Sequence, residues 1–274
     1  MDPELTFRTD LYRGTAAFYA RYRPPYPASL LEDLAARLPV SGRGRLLDLA
    51  CGTGQVALPL AERFTKVVAV DQEEEMVAYG RAEADAAGVA NIRWIVDSAE
   101  TVGVEGPFEL VTIGNAFHRL KRQVVAERVF SLLEAGGGIA LLWSDPLGRG
   151  DSEWQSAMGA LFDHWMSKLQ ITDRVPAGWQ AAMDQRPHEE VLVRAGFEYL
   201  GKYKFFSDQT WTVETFTGLV YSTSFLNLDA LRDNREAFET DLSRLLYSYE
   251  PSGVVQVLVS YEFQLARKTG TDLT

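Results

Sequence analysis

Apolar residues recur along this chain in two different rhythms. Leu30, Leu31, Leu34 and Leu38 return at helical spacing, just after a proline-rich stretch, Tyr22-Arg23-Pro24-Pro25-Tyr26-Pro27, through which no helix can run. From Arg45 onward the pattern becomes short, continuous apolar runs at 46–50, 67–70, 92–96, 110–113 and 139–143. Stretches of helical character lie between them at 56–64, at 73–87 (closed by Gly88) and at about 123–133. Brief apolar runs separated by helices predict a parallel sheet covered on both faces.

The alternation stops after Trp143. Residues 151–170 and 188–195 read as helices, 197–206 as a strand, and 211–247 as mostly helical. Beyond the Pro251-Ser252-Gly253 turn, Val255, Val257, Val259, Tyr261, Phe263 and Leu265 alternate at strand period. The sheet therefore gains two late strands, and the long stretches before each can build a cap over one edge. The predicted parts are an N-terminal helical segment (1–40), a Rossmann-like core of alternating strands and helices (41–143), a helical cap insertion (144–196), and completion of the sheet with a second helical insertion (197–274).

Composition narrows the partners. A 274-residue chain that is 46% hydrophobic and 24% charged can bury a core, as one large domain or as a core with a cap. With 27 Lys and Arg against 38 Asp and Glu, the net charge of −11 repels polyanions, so nucleic acid is excluded as a partner. A neutral or cationic small molecule is tolerated. Cys51 is the only cysteine, so no internal disulfide forms. Met1-Asp2-Pro3-Glu4 has neither the basic start nor the apolar run of a signal peptide. The longest apolar runs fall far short of the roughly 20 residues a membrane span needs. The expectation is a soluble, cytoplasmic protein.

Gly52-Thr53-Gly54-Gln55-Val56-Ala57 fits the G-x-G-x-x-G/A pattern between a strand and a helix. Its glycines let backbone approach a ligand at the positive end of a helix. Asp71 follows Gly52 by 71 − 52 = 19 residues, where a carboxylate can accept both ribose hydroxyls of an adenosine. Both NAD(P) and S-adenosyl-L-methionine (SAM) carry that ribose. Three features favour SAM: the Asp48 carboxylate suits a cofactor bearing an ammonium and a sulfonium; Asp97-Ser98-Ala99-Glu100 offers polar groups to an adenine edge; and some 40 residues precede the first strand. An NAD(P)-dependent oxidoreductase is the alternative outside this class.

Asp48-Leu49-Ala50-Cys51-Gly52-Thr53-Gly54 resembles the glycine motif of class I SAM-dependent methyltransferases, and residues 45–143 follow that family's order of motifs. The resemblance implies an α/β fold: a Rossmann-like, seven-stranded, mostly parallel sheet with helices on both faces, the last strand antiparallel, and here a helical cap. It also implies SAM as cofactor and S-adenosyl-L-homocysteine (SAH) as product. Gly52 and Gly54 would approach the methionine part and Asp71 the ribose. Asp97, Ser98 and Ala99 would border adenine, Gln72 and Met76 would flank its ring, and Arg23 would reach the methionine carboxylate. Asp48, Ala50 and Asn115 complete the expected cofactor set. The segment 22–27 and Thr112-Ile113-Gly114-Asn115-Ala116-Phe117-His118 resemble a small-molecule subgroup that includes trans-aconitate-type methyltransferases. That subgroup often has tryptophan where this chain has Arg119.

Methyl acceptors meet their donor beyond the carboxyl end of the fourth strand. His118 lies there and is the expected general base or substrate anchor. His164 reads as packed or surface, His188 as local structure, and the three are not spaced as metal ligands, so no metal is expected. Trp143, Trp154, Trp165 and Trp179 share their stretch with Asp145, Asp151, Glu153, Asp163, Asp173 and Asp184. Aromatic faces with carboxylates suit a polyamine sugar, with Trp143, Asp145, Asp163 and Trp165 as substrate residues. The sequence thus leans to N-methylation of an aminoglycoside-like amino sugar in antibiotic biosynthesis. O-methylation of a phenol, sugar hydroxyl or small carboxylic acid is the alternative, with Arg119, Lys121 and Arg122 the nearest cations for an acid. Aromatics at Phe18, Tyr19, Tyr22 and Tyr26 could cover the chain's own site or a partner's, which leaves room for a homodimer.

Overall fold

The computed structural model describes residues 7–38, 41–145 and 152–269. In chain order its helices are α1 (Ala16–Tyr22), α2 (Ala28–Arg37), α3 (Ala57–Leu60), α4 (Glu74–Ala86), α5 (Arg122–Leu132), α6 (Glu153–Lys168), α7 (Trp179–Gln185), α8 (His188–Arg194), α9 (Val213–Tyr221), α10 (Leu228–Leu231) and α11 (Arg235–Tyr249). The strands are β1 (Arg45–Leu49), β2 (Lys66–Asp71), β3 (Ile92–Val96), β4 (Phe108–Gly114), β5 (Leu133–Ser144), β6 (Glu198–Thr212) and β7 (Val254–Arg267). They form one seven-stranded sheet in the order β3-β2-β1-β4-β5-β7-β6. Strands β1 to β5 pair in parallel, while β7 runs antiparallel to both β5 and β6. The predicted α/β fold with an antiparallel last strand is the observed one.

The alternation of side chains along each strand explains the two cores. Leu46, Val67, Ala69 and Leu110 point to one face, where they pack with α2, α6, α9 and α11 through Leu34, Phe162, Phe216 and Phe238. Leu47, Leu49, Val68, Val70, Val111 and Ile113 point to the other, against Val125 and Val129 of α5 and Val191 and Leu192 of α8. Burial on both faces is why the central strands read as unbroken apolar runs.

Some elements differ from expectation in extent. The helix expected at 56–64 is a single turn, α3, followed by a 3-10 turn at Ala61–Arg63, with Pro59 supplying no amide donor. Strand β6 runs six residues past its expected end, because the stretch 207–212, polar but for Trp211, is paired by β7, up to Thr212↔Val254. The helical stretch 211–247 is broken at 222–227 by a loop of three hydroxyl residues, Phe225, Leu226 and Asn227. Asn227 caps α10, its side chain accepting the Ala230 amide. Among the described residues, no helix is long and apolar enough to cross a membrane.

Strand order reverses between β1 and β4, and a crevice opens beyond their carboxyl ends. Both strands leave the sheet through a non-glycine residue in the left-handed region, Ala50 and Asn115, each with φ of 52°. Backbone held in that region at two adjacent strand ends marks a constrained site.

Candidate active site

The turn after β1 is built from glycine freedom and one carboxylate. Gly52 (φ 54°) and Gly54 (φ 85°) bend the chain back toward α3. Gly52 donates its amide to Asp71 Oδ2 at 2.8 Å, and Asp71 Oδ1 accepts the Glu73 amide at 3.0 Å. Burial raises the Asp71 pKa, opposed by these amides. A Cβ on Gly54 would lie 2.6 Å from the Trp94 ring, so this glycine also lets the turn settle on β3.

Asp48 lies beneath the turn rather than in it. It accepts the Thr112 hydroxyl at 2.7 Å and the Ala57 amide at 3.1 Å, and burial pushes its pKa up to about 7. It does not line the cavity above, so its expected contact with a cofactor is corrected: Asp48 ties β1, β4 and α3 together. Its place in the motif revealed proximity to the turn but not the inward direction of its side chain.

The crevice holds a cavity of about 430 Å³. Ala50 and Gly52 line it from the turn after β1, Asp71 and Gln72 from the end of β2 and the residue after it, and Met76 from α4. Asp97, Ser98 and Ala99 line it after β3, and Asn115 after β4. These nine were expected from sequence; Gly54 supports the turn without lining the cavity. Asp97 Oδ1 accepts the Ser98 amide at 2.7 Å, and the Asp97 amide donates to the Asp71 carbonyl at 3.0 Å. Phe7, Arg8, Thr9, Leu11 and Tyr12 form a further wall. Gln72 Nε2 donates to the Thr9 carbonyl at 3.1 Å, and the Gly14 amide to Glu75 at 3.2 Å, fastening this wall to α4. Sequence reasoning missed it, the only signal being aromatic residues ahead of the first strand.

A second cavity of about 120 Å³ adjoins the first, and Tyr12, Asn115 and Arg119 line both. Trp143, Phe162, Phe216, Leu219, Val220 and Phe225 make the smaller chamber largely apolar, with His118 and Arg23 also in its wall. Arg23 is not in the wall of the larger cavity: it donates to the Ser222 hydroxyl at 2.9 Å and the Ser222 carbonyl at 3.2 Å. Asn115 is locked by Ser144, donating to its hydroxyl at 3.0 Å and accepting its amide at 2.9 Å.

Arg119 donates through Nη2 to the Ser224 hydroxyl at 2.9 Å, and its guanidinium lies 5.0 Å from the Phe7 ring centre and 5.3 Å from that of Tyr12. Its Nε and Nη1 are buried with no hydrogen-bond partner among the described residues. Burial raises the Tyr12 pKa, but Arg119 and Arg23 outweigh it and leave the phenol below its ordinary 10. His118 packs edge-on against Trp143 at 5.0 Å. Burial, then Arg119, hold its pKa well below 6.5, so the imidazole is neutral at pH 7.

The expected substrate carboxylates lie elsewhere. Asp163 is exposed on α6, because helical spacing turns Phe162 and Trp165 inward and carries Asp163 out. Trp165 is fully buried in the core, edge-on to Phe238 at 5.7 Å, and Asp145 is exposed past β5. Of the four expected substrate residues only Trp143 lines the chamber, and no Asp or Glu occurs among the described residues of its wall. His164 is exposed, and His188 packs on Phe117 at the start of α8.

Residues 46–137 match the family described as "Methyltransferase domain". An uncharacterised methyltransferase of Mycobacterium tuberculosis is 33% identical over 127 residues, covering 46% of this chain and 49% of that protein. A malonyl-[acyl-carrier protein] O-methyltransferase of Bacillus cereus is 29% identical over 132 residues, covering 46% and 48%. The chain thus spans about half the length of the curated relatives it matches. Among solved structures, a protein named as a type II methyltransferase of Anaeromyxobacter dehalogenans superposes with a TM-score of 0.64 at 19% identity, covering 90% of this chain and 98% of that one. The [4+2]-cyclase SpnF superposes with a TM-score of 0.52 at 18% identity, covering 88% and 81%, so the same fold also carries other chemistry.

SAM is the methyl donor this domain and fold imply, and the larger cavity fits it. Asp71 and Asp97 can accept from ribose and adenine, and Gly52 brings bare backbone to the wall. Residues 46–137 match a methyltransferase domain, and the sheet and helices built around them share the fold of a solved methyltransferase.

Proposed function

We propose that this protein is a SAM-dependent methyltransferase whose acceptor is a small carboxylic acid with an apolar body, methylated on a carboxylate oxygen. One observation carries the reading: Arg119, with two buried and unpartnered guanidinium nitrogens, stands in the wall common to both cavities. A buried donor without a partner costs free energy, and a charged one more, so the arrangement suits an arriving anion.

The bound cofactor would supply a methyl group already activated by its sulfonium. The protein's work is then alignment and exclusion of water. Arg119 would hold one carboxylate oxygen and direct the other toward the larger cavity. Phe162, Phe216, Leu219 and Phe225 would enclose the apolar body. A carboxylate is ionised at pH 7 and needs no base, which agrees with a His118 too weakly basic to take a proton there. His118 and Trp143 would shape the wall. The acceptor's bond to the methyl forms as the carbon–sulfur bond breaks, and the electron pair leaves with sulfur as a neutral thioether.

The amino-sugar acceptor has lost its support, since an ammonium would meet Arg119 and Arg23 with no carboxylate in the described wall. O-methylation is also what the name of the malonyl-[acyl-carrier protein] relative states for that protein. The test is methyl transfer from labelled SAM to phenylacetate, hexanoate, catechol and an aminoglycoside, read by product mass. Methyl esters of the two acids are expected. Arg119→Met should lower kcat/KM for them about 10- to 100-fold, the loss of a charged hydrogen bond. Methylation of the aminoglycoside or catechol alone overturns the acid reading and leaves the methyltransferase standing.

A further inference from the structure

Three arginines distant in sequence, Arg23, Arg119 and Arg174, converge on the loop 222–227 between α9 and α10. Ser222 takes Arg23 on its hydroxyl and carbonyl, and the Ser224 hydroxyl takes Arg119. From behind, Arg174 Nη1 donates to the Ser224 carbonyl at 2.9 Å and to Asn227 Oδ1 at 3.4 Å. Asn227 Nδ2 in turn donates to the Leu11 carbonyl at 3.0 Å, next to Tyr12.

We infer that Arg174, which touches neither cavity, is a positioning residue: it holds the loop 222–227 so that Ser224 presents Arg119 to the acceptor. The inference rests on the acid-acceptor reading for its functional consequence, though not for its geometry.

Three features point this way. Arg174 is only 4% exposed, while Asp229, its sole ionic partner among the described residues, is 65% exposed on its side chain. Burying a guanidinium for an exposed carboxylate is a poor source of stability, so position is the better account of it. Arg174 bonds the carbonyl of the same residue whose hydroxyl holds Arg119, so any shift of this carbonyl carries the hydroxyl with it. Finally, Ser222, Ser224 and Asn227 are all buried at 2% or less, and each spends its polar atoms on an arginine, a neighbouring backbone group or both. The loop is an anchored bracket rather than a loose connection.

The test uses the full chain with SAH bound and compares wild type, Arg174→Gln and Ser224→Ala. The first measurement is the exchange rate of the Arg119 Nε–H by arginine side-chain NMR, which needs no acceptor. Slow exchange in wild type and faster exchange in both variants is expected. Unchanged exchange in the variants overturns the inference. The second is titration with phenylacetate: both variants should bind it about tenfold more weakly or worse, as a misplaced anchor does, with SAH affinity within about threefold of wild type. A fall in SAH affinity by the same factor as phenylacetate overturns the assignment, because the loop would then serve the cofactor. If wild type binds no acid, the acid reading fails and the exchange rates alone decide the role of Arg174. Should Arg174→Gln not fold, Arg174→Lys, which keeps the charge and loses the planar fork, carries both measurements.

Discussion

The Asp48 carboxylate accepts the Thr112 hydroxyl at 2.7 Å, joining the two strands between which the sheet changes direction. Burial lifts its pKa from an ordinary 3.8 to about 7, so the folded protein holds a proton that the unfolded chain releases. Below about pH 4 both states are protonated at this residue. Between pH 4 and 7 only the folded state keeps the proton, so this residue's contribution to stability falls as pH rises and levels off above 7. In Asp48→Asn that contribution should vanish. The Tm difference, wild type minus variant, should therefore decline from pH 5 to about pH 7 and flatten by pH 8 in a thermal-melt series. A constant difference would show that Asp48 is ionised throughout.

The carboxylate at the end of β2 has a different duty. Asp71 holds the Gly52 amide and also faces the larger cavity. Asp71→Ala should weaken SAH binding about 10- to 100-fold, the effect of losing hydrogen bonds to a charged acceptor. Calorimetric titration with SAH reads this directly. Affinity within twofold of wild type would remove Asp71 from the cofactor site.

His118 is predicted to leave no mark on the pH profile. Its imidazole is neutral well below pH 6.5, so a change of pH from 6 to 9 does not alter its charge. The rate of methyl transfer to an acid should be flat across pH 6 to 8 in wild type. His118→Phe should lower the rate without adding or removing an inflection. An inflection near 6.5 that disappears in the variant would restore His118 as a proton acceptor.

Gly80 sits on the face of α4 against Trp94, and an added Cβ there would overlap the indole ring. Its helical backbone offers no reason for glycine, so space alone decides. Gly80→Ala should lose about 1–3 kcal/mol in a urea titration, the usual cost of overpacking. Trp94→Leu in the same chain should return part of it. A neutral Gly80→Ala would mean that α4 moves away freely.

The fold was legible because its signals are local. Gly52, Gly54 and Asp71 sit at fixed offsets around one strand-turn-helix unit, and the short apolar runs mark strands buried on both faces. Extents failed where partners are remote: the polar residues 207–210 form strand only because β7 lies beside them. At the site, the same short-range logic named nine residues that line the larger cavity but misjudged Asp48, whose direction depends on Thr112, 64 residues away. Asp163 and Trp165 were read by composition, although helical spacing places them on opposite faces of α6. Arg119 was visible as a departure from the subgroup's tryptophan and as one of three nearby cations for an acid; its hydroxyl partner lies 105 residues later in an unpatterned loop.

Tyr12, Asn115 and Arg119 stand in the wall between the two cavities and belong to both. Two ligands that share a wall do not bind independently. Whatever the first does to the rotamer of Tyr12 or the charge around Arg119 changes the affinity of the second, and thermodynamics requires the same factor in return. A single dissociation constant for either ligand is therefore incomplete until the occupancy of the neighbouring cavity is stated.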